Sequence, residues 1–152
     1  MTFHISLDIR RPVSEVFAFL ADFRNMPRWY EAVEQVTASA DGSHFHLVRS
    51  LPGGRAHNDV EMTSYRQDEE VTFASINGPT PFRYRYRFES LPTGTRLTLD
   101  GSISGQGLPG PAAHLGGLAE RLFGVGMKKN MQELRRILEA APGATGGRTA
   151  GI

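Results

Sequence analysis

Two groups of residues in this chain are of types and spacings that could do chemistry. The first is His44-x-His46 followed by His57-x-Asp59-x-Glu61. Imidazoles and carboxylates at alternate positions are the donor set of a zinc or iron site. A hairpin centred on Pro52-Gly53 pairs His44 with Glu61, His46 with Asp59 and Val48 with His57, so all five polar groups share one strand face. That register sends Phe45, Leu47, Val60 and Met62 to the other face, which must be the buried one. The cluster is therefore expected on the solvent side, where His–carboxylate neighbours are ordinary cross-strand pairs. No metal is expected there.

The second group lies on Phe82-Arg83-Tyr84-Arg85-Tyr86-Arg87-Phe88, where four rings alternate with three arginines. A strand sends successive side chains to opposite faces, so the rings share an apolar face and the guanidinium groups a wet one. A phenol hydroxyl can polarise an enolising carbonyl, and a guanidinium can stabilise the enolate. Tyr84, Tyr86 and Arg49, which falls on the same inner register near one sheet edge, are thus the candidate catalytic residues. On the wet face, Arg83, Arg85, Arg87 and Arg96 could contact phosphates. Glu89 and Asp100 offset part of that charge and no aromatic residue interleaves to stack bases, so a solvated face is expected and no nucleic acid partner.

The elements that must position these groups follow from periodicity. Phe3, Ile5, Leu7 and Ile9 alternate with polar residues as a first strand; Pro12 opens a helix whose apolar positions are Val13, Val16, Phe17 and Leu20. Pro27 breaks the pattern before Trp29 and Tyr30, leaving room for a second short helical turn. From Val33 to Ile103, turn signals at Asp41-Gly42, Pro52-Gly53-Gly54, Gln67 to Glu70, Asn77-Gly78-Pro79 and Pro92-Thr93-Gly94 divide about six strands, an antiparallel meander. Closing the last hairpin at Leu91 to Gly94 sets Phe88 against Leu97, Tyr86 against Leu99, Tyr84 against Gly101 and Phe82 against Ile103. Glu89 then faces Arg96, and Arg85 faces Asp100. After a glycine- and proline-rich connector from Gly105 to Pro111, an amphipathic helix runs from about His114 to Ala141, with Leu115, Leu118, Leu122, Val125 or Gly126, Met127, Met131, Leu134 and Leu138 as its apolar stripe. Residues 142–152 read as a disordered tail.

This order, with Pro12-Val13-Ser14-Glu15-Val16-Phe17, Leu20-Ala21-Asp22-Phe23 and Pro27-Arg28-Trp29, resembles the START/Bet v 1-like (SRPBCC) superfamily, and within it the bacterial polyketide cyclase/dehydrase and lipid-transport group. The likeness covers roughly Phe3 to Ala140. It implies an α+β helix-grip domain over residues 1–141: a seven-stranded curved antiparallel sheet, two short helices after the first strand, and a long C-terminal helix over an apolar cavity. The superfamily includes lipid carriers, binders of hydrophobic ligands, polyketide aromatases and cyclases, and co-chaperone-like proteins.

The wall of that space would be Phe45, Leu47, Val60, Met62 and Phe73 with Phe82, Tyr84, Tyr86 and Phe88. Leu97 and Leu99 extend it, and Leu118, Leu122 and Met131 face it from the helix. A filled core is the plain alternative. Three features argue for space: Gly101 stands opposite Tyr84, Gly124 and Gly126 interrupt the helix at about 1 kcal/mol each, and Asn58, Ser64, Ser75 and the tyrosine hydroxyls fall on the inner register. A few polar groups on an apolar wall is the composition of a ligand pocket. Trp29 and Tyr30 are expected as a wedge between helix and sheet or at a pocket rim, Met127 and Met131 as core, and His114 as an exposed loop residue.

Composition narrows the classes. The chain has 152 residues, 17 basic against 16 acidic, a net charge of +1 and no cysteine. One domain fits that length. No global field draws it to polyanions, and disulfides, thiol nucleophiles and thiolate metal sites are all excluded. Serine-hydrolase, phosphate-loop and dinucleotide motifs are missing, so no cofactor is expected. No signal peptide or membrane-inserting stretch is read at the N-terminus or elsewhere, and a cytoplasmic location is expected. The leading expectation is a carrier or sensor of a small hydrophobic lipid-like or aromatic polyketide-like molecule, with a cyclase, aromatase or dehydratase, or an interaction module with a filled core, as alternatives. No sequence feature sets the oligomeric state.

Overall fold

The period-2 stretches form strands that pair in sequence order around one sheet. In this computed structural model the described residues are 1–51, 53–104 and 116–141, the side chains of 116–122 excepted. The expected connector, His114, the tail at 142–152 and the side chains of Leu118 and Leu122 lie outside them. Strand β1 (Thr2–Ile9) is followed by helix α1 (Val13–Ala21) and a 3-10 turn (Phe23–Arg28). Then come β2 (Val33–Ala38), β3 (His44–Leu51), β4 (Gly54–Arg66), β5 (Glu70–Asn77), β6 (Phe82–Leu91) and β7 (Gly94–Ile103), and finally helix α2 (Gly116–Ala140). The sheet order is β1-β7-β6-β5-β4-β3-β2, every neighbour antiparallel. This is the helix-grip architecture.

Pro12 precedes α1, where its fixed φ of −58° suits entry to a helix, and Val16, Phe17 and Leu20 are buried on one face. The Asp22 carboxylate accepts from the Arg24 backbone N–H at 3.1 Å and starts the 3-10 turn. Helix α2 rises about 37 Å over its 25 residues. Phe123 near its start packs on Phe3 at 5.5 Å between ring centroids, and near its end the Leu138 carbonyl accepts from Arg11 Nε at 2.8 Å. The helix therefore runs alongside β1 in the same direction. Met127, Met131, Leu134 and Leu138 are buried on its sheet side, whereas Val125 is 66% exposed and points away.

The hairpin registers are those expected. Phe82 to Leu91 pairs with Gly94 to Ile103 with Tyr86 opposite Leu99 and Tyr84 opposite Gly101, and His44, His46 and Val48 oppose Glu61, Asp59 and His57. Three irregularities were not expected, the first a shift of the β2–β3 pairing between Val33 and Gln35. The β4–β5 pairing shifts between Asp59 and Val60 and again between Met62 and Ser64. A bulge of one residue inverts the faces beyond it. Ser64 consequently leaves the inner register and lies 2.9 Å from Glu70 Oε2 and 2.8 Å from Thr72 Oγ1 on the outer face. Tyr65 takes the inner position instead and sets its ring 5.3 Å from that of Phe17.

The outer face is a set of closed polar pairs. Arg85 and Asp100 are opposite in register, yet the ion pairs run diagonally: Arg85 reaches Glu70 at 2.7 Å and Arg87 takes Asp100. Arg96 bonds Asp8 at 3.0 Å and approaches Glu89 at 3.6 Å. His46 lies 3.0 Å from Asp59 through Nδ1 and 3.1 Å from His57 through Nε2, and His44 lies 3.6 Å from Glu61. These imidazoles are exposed and turn toward neighbours rather than toward a common point; among the described residues no three such groups could hold a metal ion.

Candidate functional site

The inner face changes character along its length. At the end where α1 and the last turns of α2 cover it, Ile9, Phe17, Phe88, Leu97, Leu134 and Leu138 are buried hydrocarbon. Toward the opposite end, the alternation of β3, β4 and β6 brings in Arg49, Asn58, Tyr84 and Tyr86, all buried.

Arg49 is 3% exposed. Its Nε and Nη2 donate to Asn58 Oδ1 at 3.2 and 2.7 Å. Nη2 also donates to the Pro79 carbonyl at 2.9 Å and to the Thr80 hydroxyl, and the guanidinium carbon stands 5.2 Å from the centroid of the Phe82 ring. Asn58 in turn donates through Nδ2 to the carbonyls of Asn77 at 3.0 Å and Pro79 at 2.9 Å. An amide has two donor hydrogens and one oxygen with two lone pairs, so Asn58 is fully engaged and acts by holding Arg49. The turn that supplies the acceptors is strained: Thr80 is β-branched, buried and at φ 49°. Gly78 just before it is at φ 96°, where a Cβ would come within 2.3 Å of the His57 carbonyl. Among the described residues no carboxylate pairs with Arg49, and the hydrogen bonds it makes to them run through Nε and Nη2. Burial draws its pKa down, from a starting value high enough that it stays cationic.

Beside it, the hydroxyls of Tyr30 and Tyr84 lie 3.2 Å apart. Both sit within electrostatic reach of Arg49. Burial raises the pKa of Tyr30 and drives those of Tyr84 and Tyr86 well above the usual phenol value, so all three stay protonated near neutral pH. Tyr86 is 1% exposed and packs edge-on to Trp29 at 6.4 Å between centroids. Its hydroxyl is the one buried side-chain polar atom among the described residues without a hydrogen-bond partner. Such a group is destabilising unless something supplies an acceptor.

The glycines act differently from the expectation. Gly101 leaves no gap opposite Tyr84, because Phe3, its neighbour on β1, lays its ring there; a Cβ on Gly101 would sit 2.3 Å from Phe3 Cζ. Gly124 and Gly126 do not admit a close neighbour either: a Cβ on either would meet nothing among the described residues within 4 Å. Gly124 lies two turns before the buried Met131, on the side of α2 that faces the sheet. The missing side chain there leaves open room.

The other expected wall residues are distributed unevenly. Phe82 stacks on Tyr84 at 4.6 Å, and Leu47, Val60, Phe73, Leu99 and Met131 are buried around the tyrosines. Ser75 accepts from the Phe82 backbone N–H at 2.9 Å and so closes the end of the β5–β6 pairing. Met62 and Phe45 border a separate open cleft of about 330 Å³, lined also by Ala21 to Arg24 and Ala38 to Gly42. Thr80 and Phe3 join the site without having been singled out for it, as does Tyr30, which was expected as a wedge or at a pocket rim rather than among the candidate wall residues. Only the Trp29-Tyr30 pair after Pro27 hinted at Tyr30, and the Asn77-Gly78-Pro79 turn at Thr80.

Comparison with known proteins agrees with this architecture. The chain is 26% identical over 145 residues to an uncharacterized protein of Mycobacterium tuberculosis, a match covering 91% of this chain and 84% of that one. Among solved structures, a START superfamily protein from Mycobacterium smegmatis superposes with a TM-score of 0.74 at 16% identity, covering 91% of this chain and 97% of the other. A Thermus thermophilus protein gives a TM-score of 0.75 at 18% identity over 92% and 98% of the two chains, and a conserved protein from Geobacillus kaustophilus 0.76 at 13% over 91% and 95%. At those identities the likeness speaks for the fold. Residues 1–139 match the family model described as polyketide cyclase / dehydrase and lipid transport, and the chain belongs to that family.

Proposed function

We propose that the protein is a carrier or sensor that takes a small, largely apolar molecule, lipid-like or of aromatic polyketide type, between the inner face of the sheet and the first half of α2. The observation that carries this reading is the Tyr86 hydroxyl, buried in an aromatic wall and left without an acceptor. The room beside Gly124 and the donors on Tyr30, Tyr84 and Arg49 support it. Affinity would come from area: about 300 Å² of apolar ligand surface at about 25 cal/mol/Å² yields roughly 7 kcal/mol before ordering costs. The tyrosine hydroxyls would set orientation.

A cyclase or dehydratase in the same space is the second reading, favoured by the family description and by Tyr84, Tyr86 and Arg49 as hydrogen-bond donors to a developing enolate. Binding is preferred over it because the buried polar groups among the described residues on this face are arginine, asparagine, threonine and tyrosine. None of these exchanges a proton near neutral pH. Titration of the full chain with the neutral fluorophore N-phenyl-1-naphthylamine tests the proposal. Saturable uptake of one equivalent is expected; no uptake at any concentration up to the probe's solubility limit would favour a filled core and an interaction module instead.

A further inference from the structure

The polar groups of the interior are out of balance. Arg49 brings a full positive charge and, among the described residues, no carboxylate answers it. Donors are also in excess. No hydrogen bond joins Nη1 to a described residue, the Tyr86 hydroxyl has no acceptor among them, and the Tyr30–Tyr84 contact uses one hydroxyl proton and leaves the other. The acceptors at hand, Asn58 Oδ1, the Thr80 hydroxyl and the Pro79 carbonyl, are already taken by Nη2 and Nε of Arg49 itself. A buried charge without a counter-charge is strongly unfavourable, and among the described residues a strained Thr80 and a fully bonded Asn58, rather than a carboxylate, hold this one in place. The outer face shows the ordinary arrangement: Arg85, Arg87 and Arg96 each have a carboxylate at contact distance.

We infer that the ligand of this site is itself an anion, an apolar molecule ending in a single carboxylate or comparable oxyanion, which Arg49 receives through Nη1 while the tyrosine hydroxyls donate to its oxygens. The inference rests on the binding reading above and adds the charge of the ligand to it. One guanidinium fits one negative charge, and the stacked rings of Phe82 and Tyr84 beside it fit an apolar body. A polyanion such as a nucleotide would need further cations, and among the described residues Arg49 is the buried one.

Competition against bound N-phenyl-1-naphthylamine at about pH 8, where carboxylic acids are ionised, tests the inference with two matched pairs: dodecanoate against dodecanol, and 2-naphthoate against 2-naphthalenemethanol. In the unaltered protein the acid of at least one pair should displace the probe at a concentration about tenfold or more below its alcohol, the scale of a charge-assisted hydrogen bond. Arg49→Met should abolish that preference; Arg49→Lys, which keeps the charge, should retain part of it. Equal displacement by acid and alcohol in both pairs overturns the inference while the binding reading stands. An undiminished preference in a folded Arg49→Met protein also overturns it. Failure of the fluorophore and all four compounds to bind overturns the binding reading, and the inference with it.

Discussion

The two ends of the sheet's inner face are built from the same alternation and reach opposite results. At the end covered by α1 and the last turns of α2, Phe17, Phe88, Leu97 and Leu134 meet with no polar atom to satisfy. At the other, Arg49, Asn58, Thr80 and three tyrosines are buried together, a hydroxyl goes unpartnered, and a glycine of α2 leaves room. The first arrangement stabilises the fold. The second leaves donors that no described residue answers, and on the proposed reading their complement comes from outside.

Substitutions should separate the two ends. Leu97→Ala, in the hydrocarbon end, is expected to cost about 3 kcal/mol in urea-induced unfolding; a loss below about 1 kcal/mol would mean that this end is not tightly packed. The glycines sharpen the contrast next. Gly101→Ala must push Phe3 aside and should cost about 1–3 kcal/mol, whereas Gly124→Ala enters open room and should gain about 1 kcal/mol from helix propensity. Thermal unfolding that moves both variants the same way would contradict that assignment.

The tyrosines give a smaller pair of effects of unlike sign. Tyr84→Phe strands the Tyr30 hydroxyl and should cost about 1 kcal/mol, while Tyr86→Phe removes a group with nothing to bond and should be neutral or slightly stabilising. Equal losses would show that Tyr86 has a partner. The outer face supplies the smallest effect. Hydrogen bonding from Arg85, with lesser help from Ser64 and Arg66 and against a desolvation penalty, lowers the Glu70 pKa from 4.5 to about 2. A carboxyl whose folded pKa is depressed contributes fully above its unfolded value and loses that contribution as pH falls through the folded one. Stability should therefore decline between about pH 4.5 and 2, and Glu70→Gln should flatten that part of the profile. Solvent near the pair keeps the amplitude modest.

Much of this was readable in the residues, for a definite reason. Period-2 alternation states which residues share a face, and the turns at Pro52-Gly53 and Pro92-Thr93-Gly94 fix register, so Tyr86 opposite Leu99 and His46 opposite Asp59 follow directly. A bulge leaves no such mark. The one-residue slip after Met62 moved Ser64 outward and Tyr65 inward, and nothing in that stretch announces it. Contacts across the fold are equally silent: Phe3 covering Gly101 depends on β1 returning beside β7, and Tyr30 meeting Tyr84 depends on where the 3-10 turn ends. Arg49 was legible as inward-facing. That it is held by a strained Thr80, with no carboxylate partner among the described residues, is a property of three dimensions.

The central claim is that a guest occupies the room under the first half of α2, and filling that room tests it most directly. Gly124→Leu starts a side chain from a Cβ position that meets no described atom within 4 Å, so the protein is expected to fold. Its uptake of N-phenyl-1-naphthylamine should fall about tenfold or more, because the added side chain would take the place of the probe. Uptake equal to that of the unaltered protein, in a variant with unchanged thermal unfolding, would show that the probe sits elsewhere and would contradict the account.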